Sequence, residues 1–170
     1  MKKYVITGGP CSGKTKTIAV LGKKGYFIIK EAAREVLTKK FKGKDSKAID
    51  RNLLQREIFK WQEKQIENLS KVKIAFFDRG FGDTLAYYLS EGLEIPFELF
   101  EKAKKERYTK IFFLEPLNFY KKDKIRAEEK GERERIQEFI NQVYKNLGYE
   151  IVRVPFMSVN ERVKFIEKNL

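Results

Sequence analysis

A chain of 170 residues is long enough for one well-buried core and too short for two comfortable domains. Hydrophobic residues at 42% and aromatics at 14% exclude a disordered chain despite 36% charged residues, and no apolar run approaches the roughly 20 residues that a membrane-spanning helix needs. The formal net charge of +13 favours polyanionic partners, or else marks the lysine- and glutamate-rich surface of a heat-adapted protein, a reading with which the absence of histidine agrees.

In chain order the first element is "KYVIT" (3–7), within the stretch "MKKYVIT". This start is basic and then apolar like a signal peptide, but the apolar part ends at Gly8, too soon to direct export. Four further apolar runs follow: "YFIIK" (26–30), "KIAFFD" (73–78), "KIFFLE" (110–115) and "YEIVRVP" (149–155). Runs without alternation predict strands buried on both faces, as in a parallel sheet covered by helices. Between them the spacing predicts helices over 14–23, 31–40, 48–70, 83–91, 96–107 and 133–147, with a last one from 159 to the C-terminus. Ile49, Leu53, Ile58, Trp61, Ile66 and Leu69 mark the apolar face of the third, and Ile136, Ile140, Val143 and Leu147 that of the sixth.

Strand and helix alternate throughout, which predicts a single α/β domain over 1–170. Cys11 is the lone cysteine, so no internal disulfide forms, as expected of a chain in the reducing cytoplasm. Two connections, 39–47 and 119–135, are unusually polar and long for a compact domain, which makes them the expected mobile, substrate-covering parts.

The stretch between the first strand and the first helix carries the chemistry. Gly8, Gly9, Pro10, Cys11, Ser12, Gly13, Lys14 and Thr15 fit G-x-x-x-x-G-K-[ST] between a strand and a helix, the context that the motif requires. Glycines let the backbone turn tightly, so that successive N–H groups face a β-phosphate and the helix N-terminus adds its dipole. Lys14 supplies a point charge for the β and γ oxygens, Thr15 a hydroxyl for Mg²⁺, and Lys16 continues the nucleotide site into the helix. ATP, or GTP, is the expected ligand and phosphoryl donor, with Mg²⁺ as its companion.

Three other places belong with this loop. In a parallel α/β sheet the carboxyl ends of the strands face the ligand, so Asp78 in "AFFDRGFGD" is expected beside the phosphate loop as a second Mg²⁺ site. Arg79 follows with a guanidinium suited to phosphate oxygens, and Asp83 stands ready either for the substrate or as the cap of the next helix. Glu31 in "KEAAREV" closes the second strand in the same way and is a candidate base for an attacking hydroxyl, with Arg34 one turn on as its partner or as a substrate contact. In the polar connection, Lys121, Lys122, Lys124, Arg126, Arg133 and Arg135 offer charge for a lid, and Arg126 is the leading candidate to close over the triphosphate and the base.

Taken together, "VITGGPCSGKT", "KEAAREV", "FFDRGFGDTLAYY", "KDKIRAEE", "YKNLGYEIVRVP" and "VNERVKFI" resemble the P-loop domain shared by nicotinamide-riboside-kinase-like (NadR-type) proteins and TTD-type GTP- and phosphoinositide-binding proteins, an AAA-type ATPase domain. The resemblance implies a three-layer, nucleoside- and nucleotide-kinase-like fold with a five-stranded parallel sheet in the order 2-3-1-4-5. It further implies a substrate region over about 31–72 and an arginine-bearing lid over about 119–135. By similarity to such kinases, Asp78 and Arg79 fall at the metal and phosphate site and Glu31 at the general-base site. Nothing in the chain matches the adenylyltransferase domain of the bifunctional riboside kinases, so their substrate is not inherited.

Two functions from different classes fit. One is a kinase moving the γ-phosphoryl group of Mg-ATP to a nucleoside-like or other small metabolite. The other is a non-catalytic nucleotide switch that binds an anionic partner such as a phosphoinositide through its basic face. No N/T-K-x-D guanine signature is present, since "YTKI" lacks the aspartate, which disfavours GTP specificity. The charge also permits a kinase acting on nucleic-acid ends, although no nucleic-acid-binding module is recognisable.

Overall fold

The computed structural model describes residues 1–45, 48–67, 69, 72–116 and 124–170, with side chains from 131 onward in the last stretch. Five strands, β1 (Lys2–Thr7), β2 (Phe27–Ile29), β3 (Ile74–Asp78), β4 (Lys110–Leu114) and β5 (Ile151–Val154), form one parallel sheet in the order β2-β3-β1-β4-β5. The helices are α1 (Lys14–Lys23), α2 (Ala32–Lys39), α3 (Arg51–Glu67), α4 (Phe81–Ser90), α5 (Phe97–Lys105), α6 (Lys124–Asn146) and α7 (Val159–Lys168).

Side chains alternate across the sheet into two cores, which explains why the strands read as continuous apolar runs. Tyr4, Ile6, Phe76, Phe112 and Leu114 meet α1 and α7 on one face, whereas Val5, Phe77, Ile111 and Phe113 join residues of α3, α4 and α6 on the other. A smaller cluster of Ala32, Val36, Phe41, Ile49, Leu54 and Ile58 seats α2 on α3. Paired registers such as Ile6 with Asp78, Ile29 with Phe77 and Leu114 with Val154 bring the carboxyl ends of all five strands to one edge.

The helices depart from their expected bounds where charge masks periodicity. Helix α6 starts at Lys124, not 133, so most of the connection expected over 119–135 is the first part of a helix. Its segment "KIRAEEKGERER" is rich in good helix formers but has no apolar period before Ile136, so the pattern reveals the helix only close to that residue. Residues 117–123, including Lys121 and Lys122, lie outside the described residues, and so does the side chain of Arg126 in the first turn of α6. Helix α3 begins after Asp50, whose Oδ1 accepts the Leu53 N–H at 2.7 Å in N-cap fashion. Leu53 itself is 46% exposed, and the buried face runs instead through Leu54, Gln55, Ile58, Phe59 and Gln62.

Candidate active site

The turn from β1 into α1 is closed by two glycines with distinct tasks. At Gly8, with φ of +136°, a Cβ would stand 2.6 Å from the Leu114 carbonyl oxygen, so only glycine lets the loop pass the end of β4. Gly13, with φ of +86°, supplies the left-handed residue that precedes α1 and turns the chain into the helix. Cys11 also has positive φ, at 59°, and is exposed. Pro10 is half-buried, Ser12 is buried, and Thr15 and Lys16 are exposed in the first turn of α1.

Lys14 is almost wholly buried, and its Nζ donates to the Gly8 and Gly9 carbonyls, both at 2.8 Å, and to Ser12 Oγ at 3.2 Å. The ammonium thus braces the loop from inside. Burial, followed by the positive charge of Arg79, lowers its pKa to about 8.

At the neighbouring strand end, Arg79 holds φ of +70°, a conformation that costs an arginine energy and that its contacts must maintain. Its N–H donates to the Ile6 carbonyl, its Nε to Glu31 Oε1 at 2.9 Å, and its Nη1 reaches Asp83 Oδ1 at 3.4 Å. Its guanidinium also lies 5.6 Å from the centre of the Tyr87 ring. Burial alone would favour the neutral form, but Tyr87, Asp83, Glu31 and Asp78 together raise its pKa further, so it stays charged.

Asp83 is the buried hub of this arrangement. Its Oδ1 accepts from Thr7 Oγ1 at 2.5 Å, and its Oδ2 accepts from the Gly80 N–H at 3.0 Å and the Tyr144 hydroxyl at 2.7 Å. The Gly80 bond is the capping-box contact at the start of α4, so Asp83 supports this helix start from the third helical position, with Gly80 and not Asp83 as the N-cap, because the helix begins at Phe81 rather than 83. With its lone pairs committed to these donors, Asp83 orients Arg79 rather than offering a free carboxylate to a substrate. Burial and the Asp83 charge push the Tyr144 hydroxyl well above its usual range, which keeps it a donor.

Asp78 differs from Asp83 in having no donor among the described residues. Burial, reinforced by the Glu31 charge, raises its pKa to about 6. A partly buried carboxylate without a partner, close enough to Lys14 for their charges to interact, fits a hard cation held by one carboxylate, one hydroxyl and phosphate oxygens. No group of three or more acidic, histidine or cysteine side chains among the described residues forms a cage for a metal by itself. Such a donor set suits Mg²⁺ carried on a nucleotide, and Thr15 and Asp78 are the residues that could hold it.

The raised pKa has a consequence for stability. The fold prefers neutral Asp78, so ionising it imposes a penalty that begins as pH rises above the ordinary value of 3.8 and is complete above about 6. Asp78→Asn is therefore expected to raise the melting temperature of the ligand-free protein at neutral pH and leave it unchanged below the ordinary carboxylate pKa. The same variant should bind Mg-nucleotide more weakly, a defect that raised Mg²⁺ partly relieves. Melting curves across pH, with and without Mg-ATP, check both halves.

Beside this edge, a cavity of about 250 Å³ lies among α2, α3 and α4. Glu31, Arg51, Leu54, Gln55, Gln62 and Tyr87 stand in its wall, with Arg79 and Asp83 toward the phosphate loop. Its size is a little below the usual range of small-ligand pockets, and its lining mixes apolar groups with charged, amide and hydroxyl side chains that could orient a small polar ligand. Arg34 is exposed and outside this wall, and the carboxylate of Glu31 pairs with Arg79 instead. Gln55, Gln62 and Tyr87 went unassigned from the sequence, and the visible signal for the two glutamines was their place on the buried face of α3.

The loop, the parallel sheet and the acidic strand ends define a P-loop domain of nucleoside- and nucleotide-kinase-like architecture. A family model described as an AAA domain matches residues 3–162, and the chain belongs to that family. No curated protein matches the sequence. Among solved structures, thymidylate kinase from Ehrlichia chaffeensis is similar with a TM-score of 0.70 at 14% identity, over 99% of this chain and 97% of that one. Deoxyadenosine kinase from M. mycoides, with products dCMP and dCDP bound, is similar with a TM-score of 0.66 at 17% identity, over 98% of this chain and 97% of that one. A NadR protein in complex with NAD and AMP-PNP is similar with a TM-score of 0.71 at 17% identity; 98% of this chain covers 49% of that protein. These likenesses agree with the resemblance drawn from the motifs and concern the fold. No helix among the described residues is long and apolar enough to cross a membrane.

Proposed function

We propose that the protein is a small-molecule kinase that transfers the γ-phosphoryl group of Mg-ATP to a hydroxyl of a nucleoside-like metabolite. The observation that carries this reading is the cavity whose wall contains Glu31 and Arg79, whose charges act on Lys14 of the phosphate loop together with that of Asp78. Lys14, Gly13 and the α1 N-terminus hold the phosphates, with Gly8, Gly9, Pro10, Cys11 and Ser12 shaping the loop. Thr15 and Asp78 hold Mg²⁺, which neutralises charge on the phosphate oxygens when bound. Glu31, fixed by Arg79, accepts the proton of the attacking hydroxyl, and Arg79 faces the transferred group.

Charge in the cavity argues for a hydroxyl acceptor over a phosphate acceptor. Its wall has two acidic and two basic groups, Glu31 and Asp83 against Arg51 and Arg79. Arg79 is engaged by Glu31 and Asp83, and Arg51 by Glu91. An acceptor bringing its own phosphate would have to break one of these pairs, whereas a neutral sugar hydroxyl leaves them in place. Calorimetric titration tests the reading. Mg-ATP should bind at least as tightly as Mg-GTP, and nucleosides should bind the complex with a non-hydrolysable ATP analogue more tightly than their monophosphates. The net charge of +13 keeps one second reading in play, a nucleotide switch with an anionic partner. A strong preference for GTP with no nucleoside binding favours that switch.

A further inference from the structure

Arg162, in the first turn of α7, is 1% exposed, and no carboxylate among the described residues pairs with it. Its Nη1 donates to the Ser12 carbonyl at 2.5 Å and its Nη2 to the Glu115 carbonyl at 3.2 Å, while its Nε is buried without a partner. The guanidinium centre also lies 6.0 Å from the Phe156 ring. A buried charge without a counter-ion, and with one unsatisfied donor, is costly, so packing alone does not account for an arginine here. The capping box of Ser158 and Glu161 fixes the first turn of α7 and with it the root of this side chain.

We propose that Arg162 is a positioning residue for the nucleotide, which sets the Ser12–Gly13 peptide so that the Gly13 amide faces the bound phosphates. The geometry follows from the planar trans peptide, in which the Ser12 C=O and the Gly13 N–H point in opposite directions. By drawing the carbonyl toward α7, the guanidinium turns the amide the other way, into the concavity of the loop. Its second arm, on Glu115, ties that peptide to the end of β4, which Gly8 already approaches closely. The bound polyphosphate then supplies the counter-charge that no carboxylate among the described residues provides. The inference rests on the reading of this loop as a nucleotide site.

The test is Arg162→Met, which keeps the length of the side chain and removes both the fork and the charge. Two effects oppose each other in the ligand-free variant, since a desolvated charge is removed while the Ser12 and Glu115 carbonyls lose a donor. Its Kd for Mg-ADP and for Mg-tripolyphosphate should both rise by roughly ten- to a hundredfold, the loss expected of a charge-assisted hydrogen bond that orients a donor. Arg162→Lys keeps the charge but not the fork, and should also bind more weakly than wild type. If Arg162→Met does not fold, the lysine variant decides the matter by the same titration. Wild-type affinity in either folded variant overturns the proposal, as does a loss for Mg-ADP without one for tripolyphosphate. Wild-type protein that binds no polyphosphate overturns the nucleotide-site reading itself, a result distinguishable from either of these.

Discussion

Glu31→Gln is expected to bind Mg-ATP as the wild type does and to transfer phosphoryl groups more slowly by roughly two to four powers of ten, the usual contribution of a positioned base. The substitution separates shape from proton transfer. A glutamine amide oxygen can still accept the Arg79 Nε–H that now reaches Glu31 Oε1 at 2.9 Å, so the guanidinium and its further bond to Asp83 stay in place. Glu31 stands in the wall of the cavity and its carboxylate bonds to Arg79 rather than to the phosphate loop, so the loop's own contacts stay in place. The check is the transfer rate beside the ATP dissociation constant. A switch protein, in which Glu31 only anchors Arg79, transfers nothing in either form.

Lys14→Ala is expected to weaken Mg-nucleotide binding by at least about tenfold, the cost of losing a charged hydrogen bond, and to abolish turnover while the protein remains folded. Two opposing effects make the fold tolerant of the change. Removing the ammonium takes partners from the Gly8 and Gly9 carbonyls, which destabilises the loop. It also removes a charge that burial disfavours, since the lowered pKa of about 8 means that keeping Lys14 protonated costs stability at neutral pH. That cost is present below about 8 and fades as pH rises through it toward the ordinary value of 10.5. The variant should therefore compare best with wild type in stability at neutral pH and less well in the alkaline range. Circular dichroism melting at several pH values, beside nucleotide titration, checks the prediction.

What the sequence revealed, and what it hid, depends on the range over which each feature is determined. The phosphate loop is local: eight adjacent residues prescribe a turn, a helix start and a charge, so Gly8 to Thr15 could be read directly. Asp78 and Glu31 could be located because a parallel sheet brings strand ends to one edge whatever their separation in sequence. The pairing of Glu31 with Arg79 rather than Arg34 was hidden, since it depends on the left-handed backbone at Arg79 aiming a side chain 48 residues away. Asp83 could be seen as a cap, but its bonds to Thr7 and Tyr144 span 76 and 61 residues and decide that it is a hub. Arg162 left a faint trace: it falls on the same face of α7 as Ile166 and next to Val163, so a charge stood in an apolar stripe. Its partner Ser12 lies 150 residues away, beyond the reach of any local pattern.

Transfer rather than binding distinguishes a kinase from a nucleotide switch, and one measurement reads it directly. The purified protein is incubated with Mg²⁺ and ATP labelled in the γ-phosphoryl group, together with a broad panel of nucleosides, their monophosphates and other hydroxyl-bearing metabolites. The products are then separated and identified by mass. A kinase of this kind leaves label on the hydroxyl of a neutral, nucleoside-like acceptor, none on monophosphates, and none at all with Lys14→Ala. Tight binding of Mg-ATP with no labelled product from the whole panel, or label found only on monophosphates, would contradict that reading.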